Sequence, residues 1–80
     1  MATMRMKLTF PSDLIKEPVI FTMARRYDVM PNIRRARITE SAGEVILELE
    51  GEAAKLQEGV AYLKERGVKV EPVEGDILTL

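Results

Sequence analysis

Apolar residues in this chain recur with two different periods, and the switches between those periods mark out its elements. Met6, Leu8 and Phe10 alternate with Lys7 and Thr9, the two-residue period of a half-buried strand that Pro11-Ser12-Asp13 brings to an end. The next period is helical. Ile20, Met23, Ala24 and Tyr27 recur at spacings of three and four, which aligns them on one helix face. Pro18 suits a first helical position, because its φ is already helical and its missing N–H would have had no partner there. Arg25 and Arg26 close the last turn, where the helix dipole favours cations. Pro31 disfavours the α conformation for Met30, so the helix must end before it, and Met30-Pro31-Asn32-Ile33 is expected to be a short, stiff loop.

Beyond that junction the alternation returns. A second strand is expected from about Ile33 to Glu40, then a turn at Ser41-Ala42-Gly43-Glu44. The third strand carries Val45, Leu47 and Leu49 on one face and Ile46, Glu48 and Glu50 on the other. Gly51 breaks it, and Glu52 to Arg66 reads as a second helix burying Ala53, Leu56, Val60 and Leu63. Gly67 lies where a left-handed cap is expected, and Val68 and Val70 open a fourth strand that ends around Pro72. Ile77, Leu78 and Leu80 either add a short edge strand or extend beyond the sheet. The order β-α-β-β-α-β predicts an α+β, ferredoxin-like sandwich, with a four-stranded antiparallel sheet and both helices on one face. Its second and fourth strands are the edges, which either defend themselves with charge or pair with another subunit. No linker, repeat or low-complexity stretch interrupts it, so residues 1–80 are expected to form a single domain.

Charge adds an asymmetry to this picture. Residues 1–37 hold eight Lys/Arg against three Asp/Glu and residues 38–80 hold four against ten, so a net charge of −1 conceals halves of +5 and −6. Such a split marks either a nucleic-acid face or two halves that neutralise each other once folded. A hairpin loop at Ala42-Gly43 would set Arg37 opposite Glu48 and Arg35 opposite Glu50, with Ile38 opposite Leu47 and Ala36 opposite Leu49 on the buried face. That arrangement favours a structural role for Arg35 and Arg37. RNA readers of this shape stack bases on aromatic residues of the sheet, whereas the open face of the third strand here carries Ile46, Glu48 and Glu50.

The composition also removes most enzyme chemistry. The chain has no cysteine and no histidine, which excludes disulfides, thiolate nucleophiles, iron–sulfur ligation, the usual zinc sites and the commonest general base. No glycine-rich phosphate cradle is present, and the carboxylates do not gather into a calcium loop. A non-catalytic protein with no cofactor is expected. No apolar run approaches the roughly 20 residues of a transmembrane helix and Met1 to Phe10 holds no signal-peptide core, so the expectation is a cytoplasmic protein. An 80-residue domain is also too small to enclose a deep private cavity, so a ligand site is expected in a surface cleft or at a subunit interface.

Two residues of the junction are candidates for such a site. Asn32 either caps the turn through nearby backbone or, with both a donor and an acceptor, reads the ammonium and carboxylate ends of an amino acid. Met30 is an adaptable apolar side chain beside Pro31, placed either to pack or to line a small pocket.

Pro18-Val19-Ile20 through Pro31-Asn32-Ile33, then Gly43 to Gly51, Ala61-Tyr62-Leu63 and Gly67-Val68-Lys69-Val70-Glu71, together resemble the NIL domain, over about Lys7 to Val73. Asn32 and Ile33 match the Asn-Ile-Leu signature of that family, Met30 and Pro31 flank it, and the signature leucine is Arg34 here. The resemblance implies an ACT-like regulatory domain that forms a homodimer and binds methionine or a relative near the interface. Met30, Asn32, Ile33 and Arg34 are the implied ligand-binding residues. Family members occur in methionine importer ATPases and ahead of ferredoxin modules, which implies an ABC transporter, a partner enzyme or a ferredoxin as partner. Arg34 puts a charge where the family has leucine, so a ligand with a second acidic group is a natural substitute for methionine. The alternative is an interaction module that docks a partner through Arg25, Arg26 and Arg34 with no small ligand.

Overall fold

A computed structural model of the chain describes residues 1–73. The chain forms β1 (Ala2–Pro11), a 3-10 turn (Ser12–Leu14), α1 (Val19–Tyr27), β2 (Met30–Ile38), β3 (Ala42–Gly51), α2 (Ala53–Glu65) and β4 (Lys69–Pro72). The strands make one antiparallel sheet in the order β2-β3-β1-β4, so β2 and β4 are its edges, as the ferredoxin-like order requires. A strand at Ile77–Leu80 lies outside the described residues.

The two-residue period of the strands and the helical stripes meet in one core. Met6, Leu8, Val45, Leu47 and Leu49 of the sheet pack with Val19, Met23, Leu56 and Leu63 of the helices, and no charged residue among the described ones is buried. Met6 and Met23 are packing residues, as their positions in the pattern predict. Tyr27 and Tyr62 are half-buried where α1 meets α2, with ring centroids 5.8 Å apart. The Arg26 guanidinium lies 5.8 Å and 5.7 Å from the two rings, a cation–π arrangement that ties the end of α1 to α2.

Both helices end on a backbone reversal. At the end of α2, Gly67 takes φ +101° and the Val68 N–H donates to the Leu63 carbonyl at 3.0 Å, the left-handed cap predicted from its place after the helical stripe. Gly67→Ala is expected to cost about 1–2 kcal/mol, because an L side chain is strained at this φ. Thermal unfolding checks it, with a midpoint lowered by roughly 5–15 °C.

The end of α1 corrects the expected loop. Pro18 is the residue before the helix rather than its first, and its carbonyl accepts from the Thr22 N–H at 2.9 Å. Asp28 then adopts a left-handed conformation, φ 57°, and the Val29 N–H donates to the Ala24 carbonyl at 3.0 Å. One left-handed residue, tolerable because Asp has a short polar side chain, reverses the chain, and β2 begins at Met30. Met30-Pro31-Asn32-Ile33 is therefore strand, not loop. Pro31 is accommodated because an edge strand tolerates a residue that cannot donate to the ladder.

The hairpin register is also corrected. Thr39 pairs with Ala42: its N–H donates to the Ala42 carbonyl at 2.8 Å, and its Oγ1 accepts from the Ala42 N–H at 3.2 Å. The loop is consequently Glu40-Ser41, not Ala42-Gly43, which places Arg37 opposite Glu44, Ala36 opposite Val45 and Arg35 opposite Ile46. Gly43 is needed for close approach instead of turning: a Cβ there would lie 3.0 Å from Ile38 Cδ1. A register shift between Ile33 and Arg35 leaves Arg34 as an extra residue, and beyond it Ile33 faces Leu47 and Asn32 faces Glu48.

Candidate functional site

The four residues singled out from sequence all lie on the N-terminal half of β2, an edge strand whose residues are exposed except for half-buried Pro31. The pairing partners give their faces. Val45, Leu47 and Leu49 are buried under the helices, so Pro31 and Ile33, opposite Leu49 and Leu47, project to the helix side. Met30 and Asn32, opposite Glu50 and Glu48, project to the open side, and Arg34 sits at the bulge. The strand therefore separates the signature pair, with Asn32 on one face of the sheet and Ile33 on the other. Met30 and Ile33 are more than half exposed, at 65% and 55%.

The open side around Asn32 is a ladder of charge. The register sets Asn32, Glu48 and Arg5 in one row across β2, β3 and β1. Arg5 Nε donates to Glu48 Oε2 at 3.1 Å and Arg5 Nη2 donates to the same oxygen, with both side chains about one-quarter exposed. An amide, a carboxylate and a guanidinium thus stand in line. Asn32 offers an acceptor for an ammonium group and donors for a carboxylate, the two ends of an amino acid, and Glu48, held in place by Arg5, offers a further acceptor. Glu48 and Arg5 were not legible as neighbours of Asn32, since the expected register spent Glu48 on Arg37. Their only signal is the alternation that puts all acidic residues of β3 on one face.

The next rows carry the remaining cations. Arg35, Ile46, Lys7 and Glu71 form one, and Arg37, Glu44, Thr9 and Lys69 another. Lys7 Nζ lies 3.7 Å from Glu44 Oε2, whereas Arg35 and Arg37 have no ion-pair partner within 4.0 Å among the described residues. The neutralisation of Arg35 and Arg37 by Glu50 and Glu48 does not occur, because the register sets those acids opposite Met30 and Asn32, and Lys7 takes the Glu44 that faces Arg37.

A separate apolar cleft of about 180 Å³ opens on the helix side at the far end of β2. Phe10, Leu14, Ile15, Ile38, Gly43 and Val45 line it, with Phe21 at its rim. Six residues of strand, about 20 Å, separate Asn32 from Ile38. The lining comes from four stretches of the chain, so no local spacing announces it. On the outer side of α1, Phe21, Thr22, Arg25 and Arg26 border a shallow concavity. Among the described residues no three Asp or Glu side chains gather as metal ligands, and no helix is long and apolar enough to cross a membrane.

A family model described as the NIL domain matches residues 4–72. The methionine import ATP-binding protein MetN 1 of Listeria innocua is 37% identical over 71 residues, covering 84% of this chain and 21% of that protein. Methionine import ATP-binding protein MetN of Coxiella burnetii is 30% identical over 70 residues, covering 82% and 20%. The chain thus spans about a fifth of the length of these relatives. Among solved structures, the C-terminal domain of an ABC transporter ATP-binding protein from Enterococcus faecalis matches with a TM-score of 0.79 at 22% identity, covering 91% of this chain and 86% of that one. That likeness shows the shared fold. The family match runs from β1 to β4, through the Asn32-Ile33 signature, and this chain belongs to the NIL domain family.

Proposed function

We propose that this chain is a non-catalytic regulatory domain that binds methionine or a related sulfur amino acid beside a homodimer interface, and that it serves an ABC importer on the cytoplasmic side of the membrane. The observation that carries the reading is the family match together with the position of its signature. Asn32 and Ile33 stand exposed on a strand edge that pairs with no strand among the described residues, instead of serving the core. A strand edge offers N–H and C=O groups to a second copy, so a site at Met30–Arg34 adjoins a natural interface. The Asn32–Glu48–Arg5 row supplies groups for the two charged ends of the ligand, and Met30 supplies apolar contact. Binding regulates only if the ligand prefers one state of the pair over the other.

The experiment is isothermal titration of the protein with methionine, homocysteine and glutamate, with the mass in solution recorded alongside. Saturable heat with methionine and a dimeric mass are expected. Arg34→Leu, which restores the family leucine, is expected to shift preference from glutamate toward methionine; unchanged relative affinities would remove Arg34 from the site. Silence with all three ligands overturns the sensor reading in favour of docking through α1, where exposed Phe21 stands one turn from Arg25.

A further inference from the structure

We infer that the C-terminal half of the β2 edge, Arg35–Ile38, binds an extended acidic polypeptide segment, which adds to the sheet as a short strand with carboxylates opposite Arg35 and Arg37. Three features of this stretch fix the chemistry of the occupant. It is the outer edge of an edge strand, so its outward backbone groups face no strand among the described residues. Its open side carries Arg35 and Arg37 two residues apart, both exposed and without an ion-pair partner within 4.0 Å among the described residues. With Lys7, Glu44 and Ile46 they border a concavity of about 530 Å³ holding three cations and one carboxylate. Its helix side carries exposed Ala36 and Ile38, of which Ile38 lines the apolar cleft.

The inner edge of the same strand shows what pairs with these side chains. β3 sets Glu44 opposite Arg37 and Val45 opposite Ala36, while Arg35 faces Ile46 and receives no acid from β3. An added strand meets the same residues from the other side, so acid–aliphatic alternation satisfies both of its faces. A second copy does not supply this pattern, because pairing two β2 strands around residues 34–37 brings arginines of like charge together. The inference goes beyond the ligand-sensing reading and is compatible with it. Antiparallel two-fold pairing centred on Asn32 sets Met30 opposite the other copy's Arg34 and leaves Arg35–Ile38 beyond the partner's first strand residue. Four residues suffice for a strand in this sheet, since β4 pairs with β1 over that length. RNA is the less favoured occupant, because the open faces of β1, β2 and β3 carry no aromatic residue and β3 adds Glu48 and Glu50.

The test titrates the whole chain with a labelled, end-capped eight-residue peptide of alternating Glu and Val. The same peptide with Lys for Glu and an oligouridylate of eight nucleotides are run in parallel. Expected are saturable anisotropy with the Glu peptide only, affinity falling about tenfold or more between about 50 and 500 mM salt, and slowed amide exchange within residues 35–38. Arg35→Gln with Arg37→Gln, which removes both charges without setting a carboxylate opposite Glu44, is expected to abolish binding while leaving the thermal midpoint and the methionine titration unchanged. Asn32→Ala is expected to leave the peptide affinity unchanged, which separates this proposal from the ligand reading. No saturable binding, equal binding of the Lys peptide, preference for the oligouridylate, or binding without protection at residues 35–38 overturns it.

Discussion

Leu47→Ala is expected to destabilise this domain by about 2–5 kcal/mol, enough to lower its thermal midpoint by roughly 10–30 °C. Leu47 is fully buried at the middle of β3, a central strand, with β2 on one side and β1 on the other. Truncation there loses the transfer free energy of the removed carbons and leaves a cavity, which Met6 and Ile33, its strand partners, cannot fill without breaking register. A domain of this size has a total stability of about 4–12 kcal/mol, so the void left by a truncated leucine is a large fraction of it. Ile33→Ala is the control, because Ile33 sits directly opposite Leu47 yet is 55% exposed, and its loss is expected to cost about 1 kcal/mol or less. Urea unfolding measures both, with a shifted midpoint and an unchanged slope. Equal costs for the two variants would mean that β2 is covered and the edge assignment is wrong.

The second large effect is functional. Asn32→Ala is expected to abolish the heat of methionine binding, a loss of at least about tenfold in affinity, with a stability change within about 0.5 kcal/mol. The amide is exposed on the open side of an edge strand, so removing it leaves no buried group without a partner. Asn32→Asp is the informative companion, since it keeps the acceptor, removes the two donors and adds a negative charge beside Glu48. If the amide donates to the ligand carboxylate, Asp fails as completely as Ala. If it only accepts from the ammonium, Asp retains binding. Normal titration of both variants would place the site elsewhere on the domain.

Much of the fold was legible because burial imposes a period. The alternation in Met6-Leu8-Phe10 and Val45-Leu47-Leu49 and the stripe through Leu56 and Leu63 mark positions that are buried in the structure. Gly67 was legible because a left-handed cap after a helical stripe needs that residue. The hairpin was not legible, since Ser41-Ala42-Gly43 has the composition of a turn but Thr39 closes the reversal with its own hydroxyl two residues earlier. The shift from the expected pairing to the observed one is an even number of residues, so Arg35, Arg37, Ala36 and Ile38 keep their faces while every partner changes. The candidate site was legible as a stretch, Met30–Arg34, and illegible as a geometry, because nothing local distinguishes a stiff loop from a strand that starts directly after a left-handed Asp28.

By itself, then, the amino-acid sequence determined the order of elements, most of the core, though Ala36, Ile38 and Ala53 of its expected buried faces are exposed, the two edge strands and the family to which the chain belongs. Each of these rests on periodic burial or on residue identity, which the chain carries locally. Tertiary structure alone decided which side chains meet across the sheet. The bulge at Arg34 inserts one residue into a two-residue period, so every position before it changes face. Without that insertion Asn32 would lie over the core with Leu49, and with it Asn32 joins Glu48 and Arg5 on the open side. The physical reason is that a bulge is settled by competition between whole registers. Keeping the Arg34 charge out of the apolar layer while retaining Ile33 opposite Leu47 is a balance struck along the whole β2–β3 ladder and not at any single residue.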